Sequence, residues 1–171
     1  MNTIQMLRDQ LKWEHETLES TMADVTEDCA HFSDLGKALP VGAAYAHAVV
    51  SEDVIVSTML ANTKPVYENV ETGLSEMMPG FDQWENHDTW AKTVKVDLEK
   101  FRNYAAKVYE ASDKYLASLK EEDLEIEKDL GMMGKRNLFN IISNFLILHS
   151  ANLSGEISAA KGFQGLKGYP F

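Results

Sequence analysis

Five histidines and one cysteine are the side chains of this 171-residue chain whose chemistry falls near neutral pH. Two of the histidines stand on apolar stripes. His47 sits in Ala43-Ala44-Tyr45-Ala46-His47-Ala48-Val49-Val50-Ser51-Glu52-Asp53, and His149 opens His149-Ser150-Ala151-Asn152-Leu153-Ser154-Gly155-Glu156-Ile157. An imidazole turned toward a core hydrogen-bonds there, moves a proton or ligates a metal ion. A catalytic divalent ion held among helices wants three protein ligands and an open position for water or substrate. Side chains four apart on a helix face the same way and can share one ion.

The remaining reactive groups have plainer readings. Cys29 is alone, so it cannot staple the chain; it reads as a small buried apolar residue, and a reducing cytoplasm is the expected setting. His31 and His87 stand in polar, loop-like contexts and are expected to be solvated. Trp13, Trp84 and Trp90 read as packing anchors, and Met77-Met78 and Met132-Met133 as gap-fillers or flexible contact surface. No glycine-rich phosphate loop, nucleophile elbow or Cys-x-x-Cys is present. With 27 acidic against 16 basic residues the net charge is −11, and the basic residues are scattered. Phosphate binding needs clustered Lys and Arg, so nucleic acid is excluded as a partner. No apolar run approaches the ~18 residues of a membrane span, and the N-terminus lacks the basic-then-apolar pattern of a secretory signal.

The elements that must position these groups are helices. Ile4, Leu7, Leu11, Leu18, Met22 and Val25 recur at three-four spacing along a first helix, with Thr3 placed to cap it. Gly36, Pro40 and Gly42 mark a connection. A second helix spans 41–61, with Ala43, His47, Val50, Val54, Thr58 and Ala61 on its inner face. Pro65, Gly73, Pro79 and Gly80 interrupt residues 62–87, a link long enough to be a lid or a segment packed on the helices. A third helix spans 88–119 with one stripe from Val94 to Leu119. Residues 120–129 read as a solvated connection. The fourth helix spans 137–161, with Gly162 as a left-handed cap and Leu138, Ile142, Phe145, His149, Asn152 and Glu156 turned inward. No period-two pattern persists, so no sheet is expected. Residues 1–171 form one domain.

These motifs together resemble the DinB/YfiT-like family of four-helix-bundle metalloenzymes. The resemblance rests on His47 in its context, on His149-Ser150-Ala151-Asn152-Leu153-Ser154-Gly155-Glu156, on Thr21-Met22-Ala23-Asp24-Val25-Thr26 and Ser51-Glu52-Asp53, and on the tail Gly162-Phe163-Gln164-Gly165-Leu166-Lys167-Gly168-Tyr169-Pro170-Phe171. It runs along almost the whole chain. It implies an all-α, up-down four-helix bundle with a long irregular link between helices 2 and 3.

In that family one His on the second helix and a His-x-x-x-His-x-Gly-Glu/Gln pattern on the last hold a divalent metal. The resemblance therefore makes His47 and His149 metal ligands, while the third position is Leu153, which has no lone pair. The site is degenerate. Three outcomes are open: a compensated site in which His15, Glu52, Asn152 or Glu156 supplies the third ligand; a polar cavity in which the two histidines bond to water, Asn152 or Glu156; or a weakly held zinc or nickel ion. His15, Glu52, Asn152 and Glu156 are the candidate cavity-lining residues. The matching functions are a metal- and thiol-dependent transferase or isomerase using a low-molecular-weight thiol, a non-catalytic protein binding a small molecule, and a metal-free structural dimer. A homodimer is expected from the resemblance and from Phe139, Leu146 and Leu148, which are left over from the stripes.

Overall fold

The computed structural model describes residues 2–34, 36–131 and 134–171; the Met132-Met133 pair lies outside them. The chain is mostly helical. Helix α1 (Thr3–Met22) is capped by the Asn2 side chain, which accepts from the Gln5 amide at 2.9 Å, rather than by Thr3. A short helix α2 (Glu27–His31) follows. Helix α3 (Val41–Asp53) continues without a break as a π-helical run, Val54–Leu60. The expected third helix is two pieces: α4 (His87–Thr93), an extended stretch, then α5 (Leu98–Ser118), capped by Asp97. A small antiparallel ribbon, β1 (Glu127–Asp129) and β2 (Lys135–Asn137), replaces the wholly solvated connection and is a strand pair the sequence pattern did not predict. Three residues are too few for a period-two signal to appear. The last helical run opens as α6 (Leu138–Asn140), passes through a second π-helical stretch, Ile141–Leu148, and ends as α7 (His149–Phe163). The left-handed residue after it is Gly165, at φ 76°, not Gly162.

Two apolar clusters fill the interior. One gathers Leu18, Met22, Tyr45, Phe101, Val108, Leu153 and Ile157; the other gathers Leu7, Leu11, Ile55, Leu60, Leu116, Ile142 and Leu146. The order of these residues along each helix gives the helix directions. The runs starting with α1 and α6 go from the second cluster to the first, and α3 and α5 both go from the first to the second. The strict up-down alternation therefore fails between the second and third long helices, which are parallel. The start of α5 accordingly lies beside the start of α3, where a Cβ on Gly42 would come within 3.3 Å of Val96. Parallel neighbours need a connection that returns along the full helix length, and residues 61–97 supply it.

That link is packed down, not loose. Asp53, 1% exposed, accepts from the Val66 and Tyr67 amides at 2.9 and 3.1 Å, from Ser57 Oγ at 2.9 Å and from Tyr104 Oη at 2.8 Å. Each carboxylate oxygen takes two donors, so the buried charge is fully satisfied. Farther on, the Asp97 amide donates to the Gly73 carbonyl at 2.9 Å. Gly73 has φ 74°, and a Cβ there would meet Lys100 Cβ at 2.7 Å, so only glycine lets the link approach α5 this closely. At the same end of the molecule, buried Lys161 joins α7 to the end of α1, donating to the Thr21 carbonyl at 2.6 Å and to Asp24.

Replacing Asp53 leaves two backbone donors and two hydroxyls without their common acceptor. Asp53→Ala is expected to lower the unfolding free energy by about 3 kcal/mol, read from urea unfolding followed by circular dichroism. A loss within the range of ordinary surface substitutions would show that the link is not fastened there.

Candidate functional site

The boundary between the two clusters is polar on all four long helices. On α1 it falls between Leu11 and Leu18, at His15; on α3 between Val50 and Ile55, at Ser51, Glu52 and Asp53; on α5 between Val108 and Leu116, at Ser112; on the last run between Leu146 and Leu153, at His149 and Ser150. These side chains form a layer across the middle of the molecule.

His47 and His149 meet there. Their Nε2 atoms are 3.1 Å apart, with ring centroids at 4.9 Å and planes at 82°. At this spacing one ring donates an N–H to the other. Either can hold the bridging proton, because His47 Nδ1 has a partner in both cases: Met78 Sδ at 3.2 Å when Nδ1 is protonated, and the Ser51 hydroxyl at 3.4 Å when it is bare. Burial depresses the basicity of both rings. His47 is pushed down to about 3, by burial first and then by the charges of His149 and His87. His149 is lowered by burial, against an opposing pull from Glu52. The pair is thus two neutral imidazoles.

Above them opens a cavity of about 680 Å³. Among the described residues, α3 and its π-helical continuation contribute His47, Ser51, Ile55 and Met59; the link contributes Phe81, Asp82 and Trp84; Leu130, Gly131, Phe145 and His149 close the far side. The four residues expected to line it are elsewhere. His15 and Glu52 bond to each other, with His15 Nε2 2.9 and 3.1 Å from the two carboxylate oxygens. His15 also stacks on Tyr109 at 3.8 Å and faces a separate groove between α1 and α5. Asn152 and Glu156 are exposed on the outer side of α7.

The displacement of Asn152 and Glu156 has a geometric cause. A π-helical run turns more slowly than an α-helix, so a 3.6-residue stripe extended from Leu138 through Ile141–Leu148 arrives out of phase. Leu153, Ser154 and Ile157 are inward instead. The same shift after Asp53 buries Ile55, Val56, Ser57 and Leu60 and leaves Thr58 exposed.

His87, expected to be solvated, is 5% exposed. It stacks on Trp84 at 4.3 Å and 16°, meets the edge of His47 at 4.8 Å and lies 5.3 Å from Trp90. Its Nε2 is buried with no hydrogen-bond partner among the described residues, and burial lowers its basicity. The signal was the spacing Trp84-x-x-His87-x-x-Trp90: residues three apart eclipse one another on a 3₁₀ turn such as Phe81–Asn86. Trp90 is the buried anchor foreseen, whereas Trp13 and Trp84 are exposed. His31 is also engaged, accepting from the Val96 amide at 2.9 Å. Cys29 is buried, as read.

Two ligands at 2.0–2.1 Å on a tetrahedral ion stand about 3.3 Å apart, close to the His47–His149 spacing. Two of three ligands therefore fit. The third does not: Leu153 is buried in the first cluster, and among the described residues no group of three His, Cys, Asp or Glu side chains is placed to hold a metal ion.

Neither a family model nor a curated protein matches this chain. Among solved structures it is similar to the crystal structure of a conserved protein from Enterococcus faecalis, with a TM-score of 0.74 and 21% identity over 95% of this chain and 99% of that one. That likeness is one of fold. No helix among the described residues is long and apolar enough to cross a membrane.

The buried imidazoles set the acid response. Above about pH 6.5 His47 is neutral in both the folded and unfolded chain; between about 6.5 and 3 the unfolded chain binds a proton that the folded one refuses. Stability is therefore expected to fall as pH drops through this window, by about 1.4 kcal/mol per pH unit for His47 alone, with His149 and His87 adding in the same direction. Urea unfolding at pH 7.5, 6 and 5 measures it. His47→Gln should flatten the slope, and a parent protein equally stable at about pH 5 and 7.5 contradicts the assignment.

Proposed function

We propose that this chain is a DinB/YfiT-like four-helix bundle with a degenerate divalent-metal site between its second and fourth long helices, and that its retained function is to bind a small molecule in the cavity above His47 and His149. The observation that carries this reading is the neutral, hydrogen-bonded imidazole pair at the base of a large cavity whose walls are mainly apolar. A mainly apolar pocket of several hundred Å³ with a few convergent polar groups is the usual form of a small-molecule site. The fold likeness to the Enterococcus faecalis protein is compatible with such a bundle.

The second reading is the metal- and thiol-dependent transferase or isomerase that the family resemblance implies. The nitrogen spacing favours it, and the missing third ligand counts against it. Metal binding separates the two. Thermal melting with zinc or nickel, and with chelator, is expected to leave the parent unchanged. Leu153→His, one helical turn after His149, should destabilise the chelated protein by about 1–3 kcal/mol and then gain markedly on metal addition. A parent that binds one equivalent tightly would show that another residue supplies the third ligand and would overturn the degenerate site in favour of the second reading.

We further propose a homodimer. Leu146 is buried and drops out of the expected surface, but Phe139 and Leu148 remain exposed, and Met6, Trp13 and Ile147 line a shallow groove where α1 meets the fourth run. Trp13 at 60% and Leu148 at 52% are large apolar exposures for a free surface. Light scattering at micromolar concentration should give twice the 19.2 kDa chain mass; the monomer mass alone contradicts the dimer.

A further inference from the structure

The wall of the cavity restricts what can enter it, and this step rests on the reading that the cavity is a small-molecule site. Trp84 is 46% exposed although it stands on the cavity wall. One face of its indole is covered by the nearly parallel His87 ring at 4.3 Å; its other ring contact, with His47, is tilted at 55° and 5.6 Å. No aromatic ring among the described residues stacks on the other face, so the half-exposed indole can serve there as a flat platform held from behind. Phe81 and Phe145 add aromatic surface nearby. Among the described lining residues the only charged side chain is Asp82, and no Lys or Arg is present. An anion entering here would lose hydration without meeting a counter-charge, within a protein of net charge −11. At the base, the His47–His149 hydrogen bond can open to offer one donor and one acceptor to a guest.

We infer that the cavity selects flat aromatic molecules that carry no negative charge and have one hydrogen-bonding group, stacking on the open face of Trp84 and bonding to the His47–His149 pair. Offset stacking of rings adds about 0.5–1.5 kcal/mol beyond the area buried, so an aromatic guest should outbind a saturated guest of the same outline by up to about tenfold.

The test is displacement of a neutral fluorescent probe, N-phenyl-1-naphthylamine, by three compounds built on one frame: 2-naphthol, its saturated analogue decahydro-2-naphthol, and 2-naphthoate, all near pH 7. The expected result is displacement by 2-naphthol at about a tenfold lower concentration than by either of the others. In Trp84→Leu, 2-naphthol should lose its advantage over decahydro-2-naphthol, while its advantage over 2-naphthoate persists. Decahydro-2-naphthol or 2-naphthoate matching 2-naphthol on the parent overturns the selection and leaves the cavity reading standing. An undiminished aromatic preference in Trp84→Leu overturns the role of the indole. A probe that finds no saturable site on the parent overturns the cavity reading itself.

Discussion

The N–H···N contact between His47 and His149 is the interaction around which the rest of the site is arranged. Two imidazoles from the second and fourth long helices can meet at 3.1 Å only if at least one is uncharged, because two imidazolium ions would turn N–H against N–H and repel strongly, and burial disfavours charge on the other. The surroundings enforce neutrality. Apolar clusters lie on either side, and Glu52, the carboxylate of the polar layer whose charge acts on His149, is hydrogen-bonded to His15. The layer thus splits into two sets: His15 with Glu52 on one side, and His47 with His149 and Ser51 on the other. Such a layer also fixes helix register, since sliding a helix by one turn would bury its polar group in a cluster with no partner.

The link between the second and third long helices completes the site. Because α3 and α5 are parallel, the chain must travel back along the molecule, and on the way it lays Met78, Phe81, Trp84 and His87 against the imidazole pair. Asp53 and Gly73 fasten this segment at two points, one by two backbone hydrogen bonds and the other by a close backbone approach. The site therefore depends on long-range contacts of the link as much as on the two helices that carry the histidines.

How much of this could be read from the sequence follows from which features are local. The apolar stripes place His47 and His149 on inward faces of separate helices; His47 lies in an unbroken α-helical stripe, and His149 still meets it although the π-helical run before it shifts the phase of the residues that follow. The helical class, the extents of the first two long helices and the burial of Cys29 and Trp90 were legible for the same reason. Asn152 and Glu156 were misplaced because the preceding run is π-helical, and nothing in Ile141-Ile142-Ser143-Asn144-Phe145-Leu146-Ile147-Leu148 marks a slower helical turn. His15 and Glu52 are buried but do not line the cavity as expected, because whether two buried polar groups bond to each other or line a cavity is decided by helix packing. His87 was overlooked because a polar local context resembles exposure, whereas its burial comes from a segment folded back from elsewhere. The direction of α5 rests on contacts such as that between Gly42 and Val96, far apart in the chain, which no local pattern encodes.

The most direct test of the account is the protonation state of the two imidazoles in solution. Nitrogen-15 NMR of the histidine side chains distinguishes a protonated ring nitrogen from a bare one. At about pH 7, His47 and His149 are each predicted to show one protonated and one bare nitrogen, with their Nε2 atoms coupled through a shared proton; His47 should not titrate between about pH 8 and 5, and His149 should titrate below its ordinary value. Ordinary titration of both rings near 6.5, or Nε2 signals with no connection between them, would contradict it.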